Sequence, residues 1–246
     1  MSKAILIVGA ASAIAQAYAR REAAQGARFF LLARDPAKLE LVAADLRVRG
    51  AGAVDTAPLD VLEDAAHDDA LAAARDALGR IDVALLAHGT LPDQARCEAS
   101  PAYAREQFDA NGSATLALMG RLAPILQAQG LGTLAVISSV AGDRGRASNY
   151  LYGSAKAAVT AYASGLRQRL GRSGVNVLTI KPGFVDTPMT AQFKKGPLWA
   201  SPDQVASGIQ RAIDRRRGEV YLPGFWWAIM FVIRHVPEAL FRRIRL

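Results

Sequence analysis

A tyrosine and a lysine four residues apart, Tyr152-Gly-Ser-Ala-Lys156, are the side chains of this sequence best spaced to do chemistry. On a helix the i and i+4 positions share a face, so the phenol and the ammonium lie together. A free phenol titrates near ~10, too high to exchange a proton readily at neutral pH. An ammonium within about 4 to 6 Å stabilises the phenolate and lowers that value by roughly 1 to 3 pH units, which yields a usable acid and base. Ser139 lies just beyond the apolar run 133–137, where a strand would deliver a hydroxyl able to hydrogen-bond a substrate oxygen as charge develops on it. By composition alone, Ser138 is an equal candidate for that role.

Two further stretches suit a nucleotide. In Val8-Gly9-Ala10-Ala11-Ser12-Ala13-Ile14-Ala15 a small-residue turn follows an apolar run. Backbone around Gly9, Ser12, Ala13 and Ile14, with a helix N-terminus behind it, would face a diphosphate. Arg34 closes the second apolar run, at the place where an adenosine ribose is read. An acid there would accept from a 2′-hydroxyl, whereas a guanidinium offers a bidentate, permanently charged donor to a 2′-phosphate. NADP(H) is therefore favoured and NAD(H) is the alternative. Asp35, followed by Pro36, suits a helix cap instead.

These residues require a frame. Apolar runs at 3–8, 28–33, 53–58, 81–87, 132–138, 174–180 and 219–222 alternate with segments of helical composition, the first reaching Gly26. Runs without polar alternation read as strands covered on both faces, as parallel sheets require. The expected architecture is α/β: a single-domain Rossmann fold over residues 1–222, with a doubly wound, seven-stranded parallel sheet and helices on both faces. Residues 223–246 are set apart as a C-terminal apolar and basic tail. A cofactor would sit at the C-terminal ends of the strands.

Ser139, Tyr152, Lys156, Asn111 within Asp109-Ala-Asn-Gly112, and Pro182-Gly183, in this order and spacing, resemble the short-chain dehydrogenase/reductase family over about residues 3 to 222. The resemblance implies an NAD(P)-dependent oxidoreductase that moves a hydride between a nicotinamide and a carbonyl or alcohol. It implies Tyr152 as acid and base, Lys156 beneath it on the nicotinamide ribose, Ser139 on the substrate oxygen, and Asn111 bending a helix and holding a relay water. It also implies cofactor contacts at Asp60 and Val61 by the adenine, at His88 and Gly89, and at Pro182, Gly183, Val185 and Thr187, the last near the nicotinamide amide. A homo-oligomer pairing the helices that carry Asn111 and Tyr152 is implied as well.

Two motifs depart from the family. Its Thr-Gly-x-x-x-Gly-x-Gly stands here as Val8-Gly9-x-x-x-Ala13-x-Ala15, and its Asn-Asn-Ala-Gly as Leu86-Ala87-His88-Gly89. Alanine does not easily take φ > 0, so weakened cofactor binding is expected, and a cofactor-sensing protein with little catalysis is the rival reading. His88 is expected to be packed or cofactor-adjacent, not a second acid/base.

Thirty Lys and Arg against twenty-two Asp and Glu leave a net charge of +8, which favours an anionic partner: a phosphorylated cofactor, a phosphorylated substrate or a lipid surface. Nucleic acid is not expected, because the bases lack the aromatic spacing and motifs of its binders. Cys97 is the single cysteine, so no intrachain disulfide and no metal-ligand spacing is available, and a cytoplasmic setting fits. The first fifteen residues mimic a secretory signal but continue in register as strand, turn and helix. No apolar run approaches the ~20 residues of a membrane span.

In the tail, nine apolar residues from Phe225 to Ile233 precede Arg234-His235 and the basic ending Arg242-Arg243-Ile244-Arg245. Tryptophans beside aliphatics followed by arginines suit an interfacial helix, and residues 225–246 are thus a candidate for peripheral membrane contact. A helix closing the core or a subunit contact is the other reading. This tail and Ala87-His88-Gly89 are similar to the decaprenylphosphoryl-2-keto-erythro-pentose reductases. That likeness implies a lipid-linked keto-sugar as substrate at the inner face of a membrane, with Lys194 and Lys195 available to its phosphate. The alternative is a soluble reductase of acyl, steroid or small carbonyl compounds.

Overall fold

The seven apolar runs form seven strands: β1 (Ala4–Val8), β2 (Arg28–Ala33), β3 (Ala53–Pro58), β4 (Val83–Leu86), β5 (Gly132–Ile137), β6 (Val175–Pro182) and β7 (Glu219–Leu222). The structure is a computed structural model that describes residues 2–244. Met1, Arg245 and Leu246 lie outside the described residues, and with them the last arginine of the basic ending. All seven strands pair in parallel, in the order β3-β2-β1-β4-β5-β6-β7. β6 runs two residues further than its apolar run because Lys181 and Pro182 stay in register with Tyr221 and Leu222 of β7.

The helices are α1 (Ala13–Ala23), α2 (Pro36–Val48), α3 (His67–Leu78), α4 (Gln94–Ala99), α5 (Pro101–Phe108), α6 (Ala114–Gln129), α7 (Tyr150–Leu170), α8 (Pro202–Asp214), α9 (Trp226–His235) and α10 (Glu238–Phe241). α1 stops at Ala23, short of Gly26. Neighbouring residues of a strand point to opposite faces, and both faces here are apolar. From β1, Ile5 and Ile7 join one layer with Tyr18, Leu46 and Ile209 of α1, α2 and α8. Ala4, Leu6 and Val8 join the other with Leu71, Leu122 and Val159 of α3, α6 and α7. That two-sided burial is why the strands lack polar alternation.

Helix starts follow local chemistry. The Asp35 carboxylate accepts from the N–H groups of Ala37 and Lys38 at 3.0 and 3.2 Å, with Pro36 opening the helix, as its sequence context predicts. Ser201 and Gln204 cap α8 reciprocally, an arrangement in which the serine cap is worth about 1 kcal/mol. Between α5 and α6 the chain makes a π turn, Asp109–Ser113, in which Asn111 is buried.

The C-terminal segment folds back on the body. Trp226 and Met230 of α9 bury with Val140 and Tyr221, and full burial of such a side chain contributes about 1.5–3 kcal/mol. Arg144 holds the end of α9: it donates to the carbonyls of Ile233 (2.7 Å) and Val236, pairs with Glu238 at 2.7 Å, and lies over the Phe241 ring at 3.8 Å. Among the described residues no helix is long and apolar enough to cross a membrane.

Candidate active site

The strand order reverses between β1 and β4, so the turns after these strands lie side by side at their C-terminal ends. Gly9 is the hinge of this crevice. Its φ is +84°, and a Cβ there would stand 2.4 Å from the backbone nitrogen of His88, so both conformation and space require glycine. Ser12 makes no side-chain cap to α1, and the first backbone bond into the helix comes from Gln16 to the Ser12 carbonyl at 2.9 Å. The N–H groups of Ala13, Ile14 and Ala15 therefore have no partner within the helix. Ala13 and Ala15 lie in the first helical turn, and the single non-glycine residue at positive φ among those described is Arg216. The strain expected from alanine in the family's glycine positions is thus not present: only Gly9 needs a left-handed backbone in this turn.

Across the crevice, α7 presents Tyr152 in its first turn and Lys156 one turn later. Ser139 follows β5, and the loop after it packs tightly on α7. A Cβ on Gly153 would sit 2.7 Å from the Ala141 carbonyl oxygen, and one on Gly142 2.8 Å from the Ala157 nitrogen. Ser139 Oγ accepts from the Ala141 N–H at 3.1 Å, and the serine pulls the Tyr152 phenol down against burial. Ser138, the equal candidate by composition, is buried and tied to the Lys156 carbonyl at 2.9 Å and the Thr160 hydroxyl at 2.7 Å. Lys156 is buried, donates to the Ile137 carbonyl at 3.1 Å, and lies 5.7 Å from the centroid of the Tyr152 ring.

Burial dominates the electrostatics of this pair. Burial pushes the Tyr152 phenol up to about 12, with the Ser139 hydrogen bond pulling the other way. Burial also brings the Lys156 ammonium down to about 8. Its Nζ lies 5.7 Å from the ring centroid and donates to the Ile137 carbonyl, and burial governs the phenol. At neutral pH the phenol holds its proton, the form that donates to a carbonyl oxygen.

Asn111 is buried, with its amide fully engaged. Its Oδ1 accepts from the Thr90 N–H at 2.9 Å, while its Nδ2 donates to the Thr90 hydroxyl and to the Gln107 carbonyl, each at 2.9 Å. Gly89 runs between Asn111 and Lys156: a Cβ on it would lie 2.8 Å from Asn111 Oδ1 and 3.5 Å from Lys156 Nζ. His88 faces into the protein, its Nε2 at 2.9 Å from the Thr115 hydroxyl. Burial, and then the positive charge of Lys156, bring its pKa down to about 3, so the imidazole is neutral and packed.

The outer residues are less tightly gathered. The Arg34 side chain is largely exposed and stands 4.0 Å from Asp60, whose carboxylate also accepts from the Leu62 N–H at 3.0 Å beside Val61. Pro182 ends β6 and Gly183 follows, its N–H donating to the Leu222 carbonyl at 3.0 Å. Val185 turns its side chain into the core, and its carbonyl is taken by the Thr190 hydroxyl at 2.6 Å. Thr187 opens a short turn, its N–H donating to the same hydroxyl at 3.2 Å. Lys195 pairs with Asp186 at 2.6 Å and is not a free cation.

Sequence reasoning missed two features. A buried polar cluster joins Lys181 to Asp143 (2.8 Å), Glu219 (3.0 Å) and Tyr221 (3.3 Å), four residues beyond Ser139. A lysine inside the apolar strand Val-Asn-Val-Leu-Thr-Ile-Lys signals a buried acid nearby. The other is a chain of rings: Trp199 stacks on Phe184 at 5.4 Å, and Phe184 meets Trp226 edge-on at 5.3 Å. Trp226 in turn presses its indole against Gly183.

Residues 3–197 match the family described as short chain dehydrogenase. The chain belongs to this family. As a short-chain dehydrogenase/reductase it is an NAD(P)-dependent oxidoreductase, and curated relatives carry oxidoreductase names. One from Mycobacterium tuberculosis is 40% identical over 243 residues, covering 98% of this chain and 96% of the relative. Another, from Streptomyces coelicolor, is 38% identical with the same coverage. Both are described only as uncharacterized oxidoreductases, so the narrower likeness to keto-pentose reductases is not carried by them.

Among solved structures, a variant of actinorhodin polyketide ketoreductase with NADPH superposes with a TM-score of 0.81 at 22% identity, covering 90% of this chain and 96% of that one. A short-chain type dehydrogenase/reductase from Mycobacterium ulcerans gives 0.79 at 22% identity, covering 90% and 88%. These likenesses establish the fold. The residues present fit a dinucleotide: a cradle at Gly9 that a Cβ would fill, unpartnered N–H groups at the start of α1, and an exposed guanidinium after β2.

Proposed function

We propose that this short-chain dehydrogenase/reductase is an NADPH-dependent reductase of a bulky, largely apolar carbonyl compound. The observation that carries the reading is the convergence of Ser139, Tyr152, Lys156 and Asn111 at the strand ends, with Trp226 of the ring chain Trp199–Phe184–Trp226 in one buried cluster with Val140, the residue after Ser139. When bound, the reduced nicotinamide supplies the hydride. Tyr152 then donates its proton to the carbonyl oxygen, which Ser139 orients through its hydroxyl. Lys156 holds the ribose, and Asn111 places its backbone to pass a replacement proton toward Tyr152. Gly9, Ser12, Ala13 and Ile14 receive the diphosphate, Asp60 and Val61 the adenine, and Thr187 the nicotinamide amide.

Apolar side chains exposed along residues 184–198, the segment between the Phe184 and Trp199 rings, namely Phe184, Met189, Phe193 and Leu198, favour a large hydrophobic substrate over a small polar one. The narrowest form of the proposal is a lipid-linked keto-sugar. The test is a screen of ketones, acyl thioesters and lipid-linked keto-sugars with NADPH and NADH, followed by nicotinamide absorbance. Turnover that rises with the apolar size of the ketone is expected. Activity confined to small polar carbonyls would refute the substrate class.

Arg34 supports the choice of NADPH. Replacing it with alanine removes a charge-assisted contact worth about 1.5–3 kcal/mol, so kcat/KM with NADPH should fall roughly 10- to 150-fold while that with NADH changes little. Equal losses with both cofactors would place Arg34 away from the 2′-phosphate.

A further inference from the structure

α9 is apolar on two opposite faces. Trp226, Met230 and, partly, Ile229 and Ile233 hold it to the body, which leaves Trp227, Phe231 and Val232 outward at 59%, 53% and 63% exposure. A helix apolar all round is normally covered all round. Trp227 and Phe231 stack on each other at 5.6 Å, and Leu240 and Ile244 extend the apolar surface beyond the helix. Exposed Arg234, Arg242 and Arg243 lie along the same segment. Glu238 is the one carboxylate between residues 225 and 244, and Arg144 already holds it at 2.7 Å.

We infer that the outward face of α9 and α10 docks on an anionic bilayer, with the aromatic rings in the interface and the arginines on lipid phosphates. Charge decides between this occupant and a second copy of the chain. A two-fold contact centred on this face would bring Arg234, Arg242 and Arg243 of both copies together with no free acid from this segment between them, in a protein already at +8. An anionic headgroup layer answers those charges, and the interface suits tryptophan and phenylalanine. The surface stands on these observations alone. It deepens the proposed function, and rests on that reading, in one respect: Trp226, on the inner face of the same helix, joins Phe184 and Trp199, so docking would bring the ring chain of the candidate site to the lipid that carries the substrate.

Because Trp226 and Met230 belong to the core, deleting the tail would test folding, and substitutions on the outer face are the proper probe. The full chain, W227S/F231S and R234Q/R242Q/R243Q are floated with phosphatidylcholine vesicles, with and without about 30% phosphatidylglycerol. The parent chain should float with the anionic vesicles and not the neutral ones, and each variant should lose about tenfold or more of the bound fraction. Turnover of a water-soluble ketone by W227S/F231S should match the parent.

Equal flotation of the parent and both variants, or none by the parent, overturns the proposal. So does light scattering that shows a lipid-free dimer of the parent and a monomer of W227S/F231S, which would make a second copy the occupant. Should W227S/F231S misfold, the arginine variant carries the same test. Flotation without ketone turnover would sink the reductase reading and leave the surface standing. Turnover without flotation would do the reverse.

Discussion

Replacing Tyr152 with phenylalanine is expected to lower turnover by about 10²- to 10⁴-fold while NADPH still binds, because only the phenolic hydroxyl is lost. On the proposed reading this hydroxyl is the group that meets the substrate oxygen, with Ser139 acting on it. Lys156 keeps its own anchor on the Ile137 carbonyl, 3.1 Å away, so its ammonium should not move when the hydroxyl goes. The measurement is single-turnover oxidation of NADPH beside calorimetric cofactor titration. Unchanged turnover would remove Tyr152 from the chemistry, and lost cofactor binding would make the change structural.

A spectroscopic counterpart checks the protonation state. With the phenol pushed up to about 12 by burial, the ultraviolet difference between the parent and Tyr152→Phe should show no phenolate at neutral pH. A phenolate signal near pH 7 in the free protein would mean that the ammonium, not burial, governs the tyrosine.

The strands were the most legible part of the chain, because β1, β2, β4, β5 and β6 are buried on both faces and a short, unbroken apolar run has few other uses. Tyr152, Lys156 and Ser139 were legible through spacing. What lay beyond spacing was direction. Where the lysine ammonium donates is decided by the Ile137 carbonyl, which belongs to another element. The alanines at 13 and 15 misled for a related reason: a motif records which residues are usual, whereas only the backbone shows that these two positions are helical and Gly9 alone is not. The tail read as a separate segment because its apolar run is continuous. Its inward anchoring depends on Gly183 leaving room for Trp226, a contact forty-three positions away in the chain.

Lys181 shows how a residue outside the candidate site can govern it. Replacing Lys181 with methionine leaves Asp143, whose side chain is 3% exposed, without its cation, and Glu219 with it. Removing one partner of such a buried pair costs about 3–5 kcal/mol, since the remaining charge stays desolvated. In a chain of this size that is a fall in Tm of about 6–20 °C. Asp143 also accepts from the Tyr221 hydroxyl at 2.6 Å and ends the loop that begins at Ser139. The loss should therefore be accompanied by a fall in kcat larger than any change in KM.

The K181M/D143N double variant separates the charge from the packing: with both ions gone it should be more stable than K181M alone. The pH dependence carries a definite sign. Burial opposes the charge on Lys181, but hydrogen bonds with Asp143 and Glu219 outweigh it and raise the lysine above its ordinary 10.5. Burial and Asp143 raise Tyr221 above its ordinary 10.0 in turn. Both groups bind their protons more tightly folded than unfolded, so the stability they add is complete below about pH 10 and drains away as pH climbs through the folded values. The parent should lose Tm above pH 10 through both groups, and K181M through Tyr221 alone. Parallel curves for the two proteins would mean that the cluster is not what ties the Ser139 loop to the sheet edge.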